Sequence, residues 1–359
     1  MNFERKNIRA MAGYTPGEQP ENSDVIKLNT NENPFPPGPA VKQALASINT
    51  DSLRRYPQPT ALQLRLALST HHKIDKDNIV VTNGGDELLR LAINTFVDPG
   101  ESIAVAEPTY TLYEVLAQAH GCDFLRFKLQ QDWSLPGNLA TELNRAGAKI
   151  CLLPNPHAPS GTLLRANELA TLAAEFKGVL LIDEAYVDFV DPALKHDCIP
   201  LIRDRDNVLL LRTFSKGYSL AGLRIAYGMA AASLISPMQS KTKDSYNTDY
   251  IAQKLAQAAL EDQEYAKSSW DFVRQQRALL SSALTSLGFS CVASQSNFIL
   301  AKVPPHTNAE NIYQALKQRG ILIRYFRHPG LEDNLRISIG NADENQRLLD
   351  ALTALLAAN

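Results

Sequence analysis

The stretch 208–228, VLLLRTFSKGYSLAGLRIAYG, joins two apolar β-type runs through a polar loop. The first run covers 208–211 and the second begins at Arg224. Between them Lys216 stands beside Gly217, among the hydroxyls of Thr213, Ser215 and Ser219. A lysine becomes a covalent catalyst only where it reaches an electrophile and can lose its proton. A partly desolvated loop between buried strands favours both. A solvated lysine in a surface loop fits these residues equally well.

The preceding segments tip that balance. Residues 179–186, VLLIDEAY, read as a short buried strand ending in Asp183, Glu184 and Tyr186. Residues 149–162, KICLLPNPHAPSGT, run from a buried strand into a Pro/Asn/Gly turn, and 79–86, IVVTNGGD, lead through two glycines into the helix-like ELLRLAINTF. Each strand end delivers polar groups at its carboxyl side, where open α/β sheets bind ligands. Strand starts at Ile79, Ser102, Phe124, Lys149, Val179, Val208 and Arg224 make seven, interleaved with helical segments. That alternation predicts an α/β fold with a mostly parallel sheet. Beyond it the pattern changes: 250–284 is largely helical, and apolar runs near 288–303, 321–325 and 335–339 alternate with helices over 309–318 and 344–357. The expected organisation is an arm over 1–29, a large domain over 30–248 and a smaller α+β domain over 249–359.

Composition excludes several classes. With 45% hydrophobic and 21% charged residues the chain has ample core for a soluble globular protein. A net charge of −2 and no basic run argue against nucleic acid or an anionic membrane as partner. Cys122, Cys151, Cys198 and Cys291 form no CxxC pair, so thiols in a reducing compartment are expected ahead of disulfides or a metal site. His71, His72 and His328 lack metal spacing and read as surface residues. The opening MNFERKNIRAMAGY has no apolar core and reads as no signal peptide. No apolar run approaches a membrane span, so the cytoplasm is the expected location.

The motifs PNPHAPSG, IDEAY and TFSKGYSLAGLRIAYG, in this order, resemble those of the fold-type I pyridoxal-phosphate aminotransferases, and most closely the histidinol-phosphate aminotransferase branch. The likeness extends to LNTNENPFPPGP (28–39), LRRYPQP (53–59), AEPTYTLYE (106–114), SNFIL (296–300) and LRISIGNADEN (335–345). It implies pyridoxal 5'-phosphate as cofactor, held by Lys216 as a Schiff base, with Asp183 at the pyridine nitrogen and Asn155 and Tyr186 at the phenolic oxygen. Gly84, Gly85, Asp86 (through its backbone N–H), Ser215 and Arg224 are then the phosphate ligands, with Thr213 ranked below them, and Tyr110 stacks on the ring. Glycines at a helix start suit this role because they admit a phosphate to free N–H groups. Catalysis falls to Lys216, Asp183 and Tyr186.

The same resemblance puts the substrate against Tyr14, Asn33, Arg324 and Arg336, with Arg327 competing for the role of Arg324. Two convergent arginines suit a dianion. The implied reaction is amino transfer from L-histidinol phosphate to 2-oxoglutarate in histidine biosynthesis. Aromatic amino-acid transamination and decarboxylation of a phosphothreonine-type substrate use the same scaffold. A homodimer is implied, with Tyr56 serving the neighbouring subunit's cofactor phosphate. One departure concerns 157–160, His-Ala-Pro-Ser, where asparagines and threonine are more usual; His157 reads as a turn residue rather than a catalyst. A cofactor-binding regulator would need a DNA-binding segment, for which the arm is too short.

Overall fold

The computed structural model describes residues 3–20 and 24–357. A short helix, Lys6–Ala10, comes first, and strand β1 covers Ile26–Lys27. Seven strands then build the main sheet: β2 (Ile79–Thr82), β3 (Ser102–Glu107), β4 (Asp123–Lys128), β5 (Ala148–Pro154), β6 (Val179–Asp183), β7 (Val208–Thr213) and β8 (Ala226–Ala230). Their spatial order is β2-β8-β7-β6-β5-β3-β4. Only β8 runs antiparallel to its neighbours, so the expected mostly parallel seven-stranded sheet is found. The last strand starts two residues later than its sequence pattern, because Arg224 takes a left-handed φ of 50° after the turn Ala221–Leu223.

Both faces of this sheet are covered. In β7, Val208 and Leu210 enter one apolar cluster while Leu209 and Leu211 enter the other. Period two along a strand sends successive side chains to opposite faces, and a parallel sheet needs apolar residues on both. The parallel strands therefore all end on one side, where their loops converge.

A second sheet, all antiparallel, contains β9 (Ser290–Cys291), β10 (Phe298–Lys302), β12 (Arg324–Tyr325) and β13 (Asn334–Ser338), in the order β12-β13-β10-β9. Strand β11 (Ile321–Leu322) pairs instead with β1, in parallel. Ile26 and Leu28 thereby join the apolar cluster beneath this second sheet. The long helix Gln263–Ser286 contributes Val273, Leu280 and Leu284 to the same cluster, whereas the helix before it, Tyr250–Glu261, packs on the helices Pro39–Ala46 and Leu62–His72 and joins the large domain's apolar cluster. Among the described residues no helix is long and apolar enough to cross a membrane.

Candidate active site

The carboxyl ends of β3, β5, β6 and β7 surround a cavity of about 270 Å³, closed on its far side by residues of the second sheet. Lys216 lies on its wall, three residues past the end of β7. Its amine is buried, and Nζ donates to the carbonyl of Thr30 at 2.8 Å. Burial pushes the amine down to about 8; Glu32 opposes this, while Arg336, Lys27 and Arg224 add to it. Gly217 leaves room for the turn, since a Cβ there would meet Asp188 Oδ2 at 2.1 Å.

Asp183 ends β6 facing the same cavity. Its Oδ2 accepts from the Tyr113 hydroxyl at 2.8 Å and its Oδ1 from the Ala185 N–H at 3.1 Å. Burial raises the carboxyl to about 6, against the lowering effect of these two donors. Tyr113 was not singled out from the sequence. It lies three residues past Tyr110 on the helix Leu112–His120, where helical spacing after a cavity-lining residue is the only available signal. Tyr110 lines the cavity with its ring edge against Tyr14 and Tyr113, at centroid distances of 5.8 and 5.4 Å.

The start of helix Gly84–Phe96 closes one end. Gly84 has φ +75°, and a Cβ there would stand 2.6 Å from Arg224 Nη2. Glycine is thus required both by conformation and by the approach of the guanidinium. The first N–H groups of a helix have no intrahelical acceptor, and Ser215, Thr213 and Arg224 face the same end of the cavity. Arg224 Nη2 contacts Asp86 Oδ2 at 3.3 Å. Thr213 Oγ1 donates to Ser215 Oγ at 2.9 Å, which places Thr213 as close to this corner as the residue ranked above it.

Across the cavity stand Arg324 and Arg336. They are direct partners in the β12–β13 register, so both side chains leave the same face. Arg336 is half-buried; its Nη2 donates to Asn29 O at 3.0 Å and its buried Nε has no hydrogen-bond partner. Burial lowers its pKa. Arg324 makes no ion pair among the described residues, whereas Arg327 points away, 77% exposed and paired with Glu310. Arg327 therefore does not compete for the cavity. Tyr186 completes the wall, its hydroxyl accepting from Asn31 Nδ2 at 3.0 Å.

Asn155 and Asn33 do not line this cavity, and Tyr56, expected to serve the neighbouring subunit, lies on the surface. Asn155 is fully buried and spends its side chain on the backbone of Leu164, accepting from N at 2.8 Å and donating to O at 3.2 Å. Asn33 Nδ2 reaches the carbonyls of Lys216 and Gly217 at 3.3 and 3.4 Å and does not line the cavity. Tyr56 is 80% exposed and stacks on Tyr246. Two histidines also depart from expectation. His72 is no surface residue: it is buried, with Nε2 2.9 Å from the Tyr227 hydroxyl. His328 lines the cavity mouth. His157, a buried turn residue, places Nδ1 2.7 Å from Ser160 Oγ and Nε2 3.0 Å from Pro108 O, tying the β5 loop to the β3 loop. Behind Asp183, Glu184 pairs with Arg212 at 2.8 Å, and its other carboxylate oxygen gathers with His196 Nε2 and Cys198 Sγ within 4.8 Å.

These groups fit the cofactor that the motifs imply. An amine and a carboxylate share one cavity, a helix start with a hydroxyl pair and an arginine can receive a phosphate, and an aromatic ring stands at the wall. The Oγ1 of Thr109 and the Nε of Arg336 are buried there without partners, which suits a polar occupant.

Comparison with known proteins agrees. The sequence profile of the family Aminotransferase class I and II matches residues 23–352. Histidinol-phosphate aminotransferase 1 of Trichormus variabilis is 44% identical over 356 residues, covering 99% of both chains. The crystal structure of histidinol-phosphate aminotransferase from Sinorhizobium meliloti, in complex with pyridoxal-5'-phosphate, superposes with a TM-score of 0.90 at 24% identity, covering 100% of this chain and 98% of that one. L-threonine-O-3-phosphate decarboxylase from Porphyromonas gingivalis shares the fold at a TM-score of 0.79 and 22% identity, over 93% of this chain and 100% of that one.

Proposed function

The chain belongs to the Aminotransferase class I and II family, and on that premise we propose that it transfers the amino group of L-histidinol phosphate to 2-oxoglutarate, with pyridoxal 5'-phosphate as cofactor. The observation that carries the substrate is the cross-strand pair Arg324 and Arg336, facing the cavity opposite Lys216. Like charges directly opposite on a sheet cost stability, so a cavity that keeps two of them without a protein carboxylate between them suits a dianion. The relatives at about 40–44% identity carry histidinol-phosphate aminotransferase as their name, which supports the same choice.

When bound, the cofactor supplies an aldehyde to the amine and a ring that takes up the electron pair released at the substrate carbon. The chain's own residues do the rest. Lys216, with its pKa brought down to about 8, has a usable neutral fraction near pH 7. It is the group that carries a proton from and to the substrate carbon, as base and then acid. Asp183, held by Tyr113 and Ala185, offers its carboxylate to the ring nitrogen. Gly84, Gly85 and the Asp86 N–H, with Ser215, Thr213 and Arg224, hold the phosphate, Tyr110 stacks on the ring, and Tyr186 offers its hydroxyl to the phenolic oxygen. Tyr14, Arg324 and Arg336 bind the substrate's anionic end. Asn155 offers its Nδ2, which donates to the Leu164 carbonyl, to the cofactor's phenolic oxygen, and Asn33 acts from behind the lysine loop.

The finer assignments belong to the same proposal: a cytoplasmic homodimer in which Tyr56, exposed in one subunit, reaches the other's phosphate, and a chain divided near residue 248 with the helix Tyr250–Glu261 returning onto helices of the large domain.

Single-turnover absorbance of the cofactor-loaded protein tests the reading. A fast change with L-histidinol phosphate, absent with L-phenylalanine and with O-phospho-L-threonine, is the expected result. A faster change with phenylalanine, or release of carbon dioxide from phosphothreonine, would transfer the assignment to one of those substrates. Folded protein that gains no cofactor absorbance would remove Lys216 from its role.

A further inference from the structure

The loop over residues 29–33 touches most of the working parts of the cavity. Asn29 O accepts from Arg336, Thr30 O from Lys216, and Asn31 Nδ2 donates to Tyr186. Asn31 takes a left-handed φ of 59°, which asparagine tolerates better than most residues. Ser338 and Asn297 pin it, through its N–H at 2.9 Å and its carbonyl at 2.9 Å. Thr30 is held separately. Lys27, from β1, bonds both the Thr30 hydroxyl and the Glu32 carboxylate, and Thr30 Oγ1 donates to Glu32 Oε2 at 2.5 Å.

We propose that Lys27, Thr30 and Glu32 form a positioning device for the Lys216 amine, in which Glu32 fixes the Thr30 carbonyl that receives Nζ and supplies the negative charge that favours its protonated form. The proposal rests on the reading of Lys216 as the reactive amine. An amine that leaves and regains its bonded partner within each turnover needs a fixed place to stand as proton carrier between those events. A carbonyl at 2.8 Å provides that place for an ammonium better than for a neutral amine. The charges around Nζ come from several elements. Arg336 on β13, Arg224 past the lysine turn and Lys27 on β1 disfavour the cation, and Glu32 favours it. Asp183, Tyr110 and Tyr186 line the same cavity. Glu32 itself is pushed up by burial, but the bonds from Lys27 and Thr30 outweigh this and hold it below the usual carboxylate range. It therefore keeps its charge wherever Lys216 titrates.

Competitive acetylation of the full-length, cofactor-free protein, followed peptide by peptide across a pH series, reads the protonation of Lys216 directly; the exposed Lys302 serves as internal reference. In Glu32→Gln the neutral amine appears at lower pH, and labelling of Lys216 at pH 7 rises about fivefold for a one-unit drop. In Lys27→Met a neighbouring cation is lost, and labelling at pH 7 falls. A merely structural role would move both variants the same way, or shift only their thermal midpoints. Unchanged Lys216 labelling in folded Glu32→Gln, or equal shifts of one sign in both variants, overturns the proposal. If Glu32→Gln does not fold, Lys27→Met alone decides by the sign of its shift. Cofactor uptake is read separately by absorbance, so protein that never takes up pyridoxal phosphate defeats the functional reading, while the acetylation profile still judges the device.

Discussion

Replacing Arg324 by Met separates binding from folding, because beyond a contact over the Phe326 ring, at 5.7 Å from its centroid, the side chain makes no ion pair among the described residues. Arg324 has no acidic partner among the described residues and stands opposite Arg336 in the β12–β13 register. Directly opposed like charges cost roughly 0.2–1 kcal/mol. The variant should therefore unfold at the wild-type temperature or slightly above it. Binding behaves oppositely. A phosphate held by two guanidinium groups loses one charge-assisted partner, a loss of about 2–5 kcal/mol. With about 3 kcal/mol, and about 1.4 kcal/mol per decade, kcat/KM for L-histidinol phosphate falls about 100-fold. L-Phenylalanine, which lacks the phosphate, should lose less than about threefold by the same arithmetic. Arg324→Lys keeps the charge but not the planar fork, so its loss is intermediate, about tenfold. Coupled kinetic assays with both donors, beside thermal melts, give all three numbers. Equal losses for both donors would refute dianion recognition at this pair. A melting temperature several degrees lower would show that Arg324 supports the sheet.

Further changes probe other parts. Tyr113→Phe leaves the buried Asp183 without its 2.8 Å donor; a hydrogen bond to a charged group is worth about 1.5–3 kcal/mol. Because the Asp183 carboxyl is raised to about 6, it is protonated at pH 5, so this loss of stability should be larger at pH 8, as measured by urea unfolding. Gly84→Ala puts a Cβ into a residue at φ +75° beside Arg224, costing roughly 1–2 kcal/mol and weakening pyridoxal-phosphate uptake in an equilibrium titration. His72 is held neutral by burial, with its pKa lowered to about 2. The unfolded chain takes up that proton below about pH 6.5 and the folded chain does not, so stability falls with acidity, by about 2 kcal/mol between pH 7 and pH 5. His72→Gln should remove that part of the acid sensitivity in parallel urea titrations, and a slope unchanged from wild type would contradict the assignment.

The contrast between Lys216 and Tyr113 explains how far this site was legible in the sequence. Lys216, Asp183 and the Gly84–Gly85 pair each end or follow an apolar run, and a parallel sheet brings all such ends to one side whatever the strand order. Their arrival at one cavity could therefore be read from local pattern, whereas the roles expected of them came only with the family resemblance. The pairing of Tyr113 with Asp183 crosses 70 residues and depends on the order of strands in the sheet, which no local pattern records. The arginine pair lies between these cases. Each arginine was visible on its strand, but the register that sets them opposite one another was not. Strand β1 is too short to show periodicity; it exists because Ile26 and Lys27 find β11 almost three hundred residues later.

The loop 28–39 takes the reasoning one step further. Its four prolines and three asparagines suit an irregular turn, and no strand or helix forms in it before Pro39. Nothing in them indicated that Thr30 would offer a backbone carbonyl to the lysine, or that Asn33 would bind carbonyls of the lysine loop rather than substrate. Every residue has a carbonyl, so a contact made by backbone leaves no mark on residue identity. What marks it is the apparatus that holds that backbone still: a left-handed Asn31, and a Lys27–Glu32 ion pair closed through a threonine hydroxyl. A charged pair a few residues apart in an otherwise polar turn is unremarkable until its hydroxyl partner proves to carry the carbonyl on which the Lys216 amine rests. The loop's side chains thus specify the amine's position indirectly, by fixing the one atom of Thr30 that its identity does not determine.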